Sequence, residues 1–97
     1  MTLTGKQRNH LRGLAHHQNP VVIIGNAGLS DAVKNEIDLA LTTHELIKIK
    51  LPGGDREERQ MLVQQICEVS RAEFVQLIGR TAVVYRAANE PLIVLPR

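Results

Sequence analysis

Between an apolar run, Val21-Val22-Ile23-Ile24, and a serine at position 30 stands Gly25-Asn26-Ala27-Gly28, the segment of this chain best suited to hold an anion. If Ser30 caps a helix, the unpaired N–H groups of its first turn carry a partial positive charge that attracts phosphate. Glycines at 25 and 28 permit positive φ and let a phosphate reach the backbone with no Cβ in the way. The segment is not a nucleotide P-loop, because no Lys-Ser or Lys-Thr follows the second glycine. It is not a dinucleotide fingerprint either, because the third glycine and the later acidic residue are missing. Its spacing matches the G-x-x-G clamp by which KH-type domains grip a nucleic-acid backbone. A plain strand-to-helix turn has the same glycines, so the surrounding charges must decide.

The net charge is only +2, but it is unevenly spread. No acidic residue precedes Asp31, whereas Lys6, Arg8 and Arg12 do, together with His10, His16 and His17. The acids gather later, from Asp31 to Glu45 and from Asp55 to Glu73. Lys48 and Lys50 alternate with Ile47, Ile49 and Leu51, which puts both lysines on one face of a strand. A basic first helix, the glycine turn and the lysine pair would form a phosphate-tracking surface if they share a side of the fold. With one Phe, one Tyr and no Trp, the chain cannot stack bases as sheet-platform binders do. Recognition should therefore rest on shape and phosphate, which favours structured RNA.

Other chemistry finds little footing. Adjacent His16 and His17 should point apart on a helix, and a lone Cys67 completes no metal-ligand set. Cys67 falls on an apolar stripe as a small core residue. His44 belongs at a helix end, where it meets the terminal carbonyls. Glu57, Glu58 and Glu68 look like a solvated helix face, and no nucleophile, base and orienting acid can be assembled. The expectation is a protein without catalysis, cofactor, metal or small-molecule substrate. A single cysteine excludes an intrachain disulfide. The polar N-terminus and the lack of a long apolar run leave a cytoplasmic location as the default, with no membrane attachment. Nothing demands more than a monomer.

The elements that must position these residues follow from periodicity. Thr4 and Gln7 form a capping box for a first helix, from about Thr4 to His17, that Asn19-Pro20 ends. Val21 to Ile24 reads as a strand covered on both faces. Ser30 caps a second helix, on one face of which Val33, Ile37, Ala40, Leu41 and His44 fall at spacings of three and four. A strand over Leu46–Leu51, the turn Pro52-Gly53-Gly54 and a third helix capped by Asp55 and ending near Ser70 come next. Gly79-Arg80 makes a II′ hairpin of Phe74–Ile78 and Thr81–Arg86. Leu92–Leu95 could add a short edge strand. The order α-β-α-β-α-β-β gives a two-layer α/β fold, and 97 residues make one domain, 1–97.

Four blocks in this order also resemble a known family. They are Leu11-Arg12-Gly13-Leu14-Ala15-His16, Val22-Ile23-Ile24-Gly25-Asn26-Ala27-Gly28-Leu29, His44-Glu45-Leu46-Ile47-Lys48-Ile49-Lys50 and Ile78-Gly79-Arg80-Thr81-Ala82-Val83-Val84-Tyr85-Arg86. Together they resemble the bacterial YhbY-like members of the CRM (chloroplast RNA splicing and ribosome maturation) domain family. The resemblance implies a four-stranded mixed sheet, similar to the C-terminal domain of translation initiation factor three. It implies RNA binding through the G-x-x-G loop and the basic surface beside it, and association with large ribosomal subunit precursors. Carried over, Gly25, Asn26, Ala27 and Gly28 form the clamp, and Lys6, Arg8, Arg12, Lys48 and Lys50 are the phosphate partners. Many members have a basic residue inside the loop, whereas Asn26 and Ala27 occupy it here, so the clamp would act through backbone amides alone. Two other readings stay open: a protein-interaction module without direct RNA contact, and a small enzyme holding a phosphorylated substrate at the same turn.

Overall fold

The computed structural model describes residues 2–97. These residues form three helices and four strands in the order α1 (Gly5–Ala15), β1 (Pro20–Ile23), α2 (Asp31–His44), β2 (Leu46–Lys50), α3 (Arg56–Ser70), β3 (Glu73–Ile78) and β4 (Thr81–Tyr85). Each helix starts where a side chain satisfies an orphan amide. Thr4 and Gln7 make the reciprocal capping box, Ser30 Oγ accepts from the Val33 amide, and Asp55 accepts from that of Glu58. In the β3–β4 hairpin Gly79 takes a φ of +54°, as a II′ turn requires of its first residue.

The strands lie in the order β1-β2-β4-β3, with β1 parallel to β2 and the other pairs antiparallel. This is the α/β class and mixed four-stranded sheet expected. Helices α2 and α3 cover one face, where Ile37, Leu41, Val63 and Ile66 pack on Val22, Ile47, Ile49 and Val84. Burying such side chains stabilises the fold by about 1.5–3 kcal/mol each relative to exposure. On the opposite face α1 and the chain end add a smaller core, in which Leu3, Leu11 and Ala15 meet Leu46, Val75, Val83 and Tyr85.

Because α1 lies over β2 and β3, it stops short of β1. Val22 is buried, but Val21 and Ile23 stay exposed, so β1 is an edge strand covered on one face rather than two. Both edge strands carry a register irregularity, between Pro20 and Val22 in β1 and between Phe74 and Gln76 in β3.

The segment Leu92–Leu95 is not a strand. The amides of Leu92 and Ile93 donate to the Glu45 carboxylate, so they are not available for a sheet neighbour. Ile93 and Leu95 instead pack against the smaller core. Arg86 fastens the other side: its guanidinium reaches Asp38 Oδ1 at 2.8 Å, the Ser70 carbonyl at 2.8 Å and Thr42 Oγ1 at 3.0 Å, tying α2 to α3. Among the described residues, no helix is long and apolar enough to cross a membrane.

Candidate nucleic-acid interface

The G-x-x-G segment is a closed turn. The Gly28 amide donates to the Gly25 carbonyl at 3.0 Å, and the Ser30 amide to the Gly28 carbonyl at 3.0 Å. Of the two glycines that permit it, Gly28 alone takes the left-handed conformation, with φ +71°. A Cβ at Gly25 or Gly28 would meet nothing within 4 Å, so the turn faces open space. Asn26 and Ala27 form its exposed tip. Among the described residues, the amides of Asn26, Ala27 and Leu29 make no backbone hydrogen bond, which leaves them for an anion next to the start of α2.

Sheet register fixes what lies beside the turn. Ile23 pairs with Lys50, Lys50 with Thr81 and Thr81 with Ile78, a row that crosses all four strands at the end where β1 enters the glycine turn. Lys50 is exposed in this row. The β3–β4 turn lies at the same end, closed by the Leu51 amide on the Arg80 carbonyl and by Arg80 Nε on the Leu51 carbonyl at 3.2 Å. Arg80 thereby joins Lys50 and the glycine turn. The sequence marked it only as a hairpin residue, because its place here depends on β4 lying next to β2.

Two residues back along β2, Arg12 of α1 and His16 just past its end meet Lys48 around a concavity of about 200 Å³ that Gln76, Ile78 and Thr81 help to line. Arg12, Lys48 and Lys50 thus share a face. Lys6 and Arg8 do not join them. Arg8 Nε donates to the Phe74 carbonyl at 3.1 Å, and Lys6 Nζ to the Arg97 carbonyl at 3.3 Å. Phe74 pairs with Val84, so these two cations sit toward the Leu46–Tyr85 end of the sheet. Four residues of strand, about 13 Å, separate that end from the Lys50–Thr81 row.

The remaining candidates are structural. His16 and His17 do not diverge: α1 has ended at Ala15, and their rings meet edge to face at 5.4 Å. Among the described residues, no three His, Cys, Asp or Glu side chains converge as a metal site. Tyr85 is 2% exposed, and burial, followed by the Glu45 charge, raises its pKa. It belongs to the core, which leaves Phe74, the chain's one phenylalanine, as the benzene-type ring open to solvent. Burial, with a smaller push from Glu73, lifts the Cys67 thiol to about 11. At neutral pH the nucleophilic thiolate is scarce. Cys67 is therefore expected to react with iodoacetamide about 300-fold more slowly than a free cysteine, whose pKa is ~8.5. Mass spectrometry over a time course measures this, and labelling at the rate of free cysteine would contradict the packing described.

Glu45 was missed by sequence reasoning. It terminates α2 with φ +64° and is fully buried. Its carboxylate accepts the amides of Ala88, Leu92 and Ile93 at 2.7, 2.8 and 2.7 Å. Burial alone would raise its pKa, but the three amides outweigh it and hold the carboxyl below its ordinary value. The only local signal was an acidic residue between a helix and an apolar strand.

Known proteins share this architecture. The sequence profile of the CRS1/YhbY (CRM) domain family matches residues 3–86. An RNA-binding protein of Haemophilus influenzae is 49% identical over 96 residues, which is 99% of this chain and 97% of that one. The protein named "Probable RNA-binding protein PA4753" of Pseudomonas aeruginosa is 41% identical over 91 residues, 94% of this chain and 88% of its own length. The solution structure of hypothetical protein SAV1595 from Staphylococcus aureus superposes with a TM-score of 0.86 at 36% identity, covering 98% of this chain and all of that one. With the profile spanning every helix and strand, the chain belongs to the CRS1/YhbY (CRM) domain family.

Proposed function

We propose that this chain, acting as one RNA-binding domain over residues 1–97, docks on structured ribosomal RNA and assists assembly of the large ribosomal subunit. It performs no chemistry of its own and works as a monomer in the cytoplasm. The observation that carries this reading is the placement of the Gly25–Gly28 turn, with its free amides, at the sheet end that also presents Lys50 and Arg80. Phosphate contacts from these groups, continued by Lys48 and Arg12, position an RNA backbone without reading its sequence. Membership of the CRM family and the RNA-binding names of the relatives support it.

Titration of large-subunit RNA fragments at several salt concentrations tests the proposal. Binding should weaken steeply with salt. An Arg12→Ala, Lys48→Ala, Lys50→Ala variant should show a salt slope shallower by about three, roughly one per lost phosphate contact. Lys6→Ala with Arg8→Ala should change the slope less, since both cations lie at the far end and already serve carbonyls of the protein. No binding at low salt would mean that the basic face is merely solvated, and the protein-interaction reading would take its place.

A further inference from the structure

Behind the sheet edge runs a groove of about 960 Å³, between α3 and the edge strand β3. Arg12, Arg56 and Arg59 line it against a single carboxylate, Glu68. Gln64 and Gln76 face it with amides that can both donate and accept. Val63, Cys67 and Leu77 supply an apolar floor, and Phe74, 41% exposed, adds an aromatic ring. Arg59 is held by a bond of 2.6 Å to the Gly54 carbonyl, while its Nε is buried and makes no hydrogen bond within the protein. An aromatic ring, planar guanidinium forks and two-way amides within one groove match the three parts of a nucleotide: base face, phosphate and base edge.

We propose that this groove takes a short unpaired stretch of a bound RNA, one base on Phe74 and the phosphates of the following nucleotides against Arg59 and Arg56. The inference rests on the RNA-binding reading above for its occupant. Arg12 links the two surfaces, since it lines both this groove and the concavity around Lys48. A strand leaving a duplex on the basic face would pass round the β3 edge, where Arg12 stands, before its first free base meets Phe74. The cationic lining favours a phosphodiester over a neutral peptide, and the nearby phosphate-binding face supplies the strand.

The test compares an RNA hairpin with the same hairpin carrying a short unpaired adenosine tail. For the wild type the tail should raise affinity about tenfold, the worth of one stacked base with its phosphate. Phe74→Leu and Arg56→Gln should each lose most of that gain while binding the blunt hairpin as the wild type does. Arg56 is an exposed residue of the first turn of α3, so its variant tests the groove even if Phe74→Leu disturbs β3. An undiminished gain in both variants, or none in the wild type, overturns the proposal. Adenosine monophosphate alone forms the second arm: tight binding dependent on Phe74 would make this a free-nucleotide site and overturn the RNA assignment. Failure of the blunt hairpin to bind would sink the function proposed above, whereas tail-only RNA held through Phe74 and Arg56 would still uphold the groove.

Discussion

Glu45→Ala lowers the melting temperature by about 10–20 °C, the expected outcome of removing an acceptor worth on the order of 3 kcal/mol from a domain this small. Three backbone amides of the chain end converge on this one carboxylate, and among the described residues they have no other acceptor. Losing it frees the segment that seats Ile93 and Leu95 on the smaller core. It also removes the reason for Glu45 to hold a φ of +64°, a conformation that non-glycine residues occupy at a cost of about 1–3 kcal/mol. Glu45→Gln keeps one acceptor oxygen but turns the other into a donor facing donors, so it should recover only part of the loss. Thermal melts followed by circular dichroism decide the matter. An unchanged melting temperature would mean that the chain end contributes nothing to the fold. The pH dependence has a definite sign. Because the folded carboxyl titrates below its ordinary value, its contribution is complete above the unfolded pKa of ~4.3 and is lost as pH falls through the lower folded value. Glu45→Ala should flatten that acid limb.

Ala27→Glu should weaken RNA binding by about 30-fold at low salt while leaving the melting temperature within a degree or two of wild type. Ala27 is exposed at the tip of the turn, so the new side chain displaces nothing. It sets a carboxylate beside the amides that would hold a phosphate, and two such charges a few ångströms apart repel by ~2 kcal/mol, between the limits for water and for a protein surface. Gly28 is a less clean probe. Its added Cβ would meet no atom, yet φ +71° makes any other residue pay about 1–2 kcal/mol in backbone strain. Gly28→Ala therefore mixes stability with affinity, and Ala27→Glu separates them. Filter binding beside a thermal melt reads both quantities, and full affinity in a folded Ala27→Glu protein would remove the turn from the interface.

The sequence made legible whatever depends on neighbours along the chain. Thr4, Ser30 and Asp55 announced their helices because a cap needs only the next three residues. Gly79-Arg80 announced its hairpin because a two-residue turn is a local event. The alternation from Ile47 to Leu51 placed Lys48 and Lys50 correctly, since side-chain direction in a strand has period two. What stayed hidden depends on strand order. Val21 and Ile23 looked doubly covered until β1 proved to be an edge beyond the reach of α1. Arg80 joined Lys50 only because β4 lies between β2 and β3. Lys6 and Arg8 shared a helix with Arg12, but that helix runs along the sheet and carries them away from the turn. The apolar residues Leu92–Leu95 suited a strand by composition, and a buried carboxylate 47 residues earlier than Leu92 claimed their amides instead.

The register irregularities in β1 and β3 bear on how the protein behaves in a crowd. A regular strand at a sheet margin is a template on which a second copy can add and start a fibre. Here both margins are broken: one begins with Pro20, which has no N–H to offer, and the other has its Phe74 carbonyl already taken by Arg8. Exposed Ile23 and Ile78 can therefore stand at the outer strands without inviting stacking of one molecule on the next. Regularising either margin should lower the concentration at which the protein begins to aggregate.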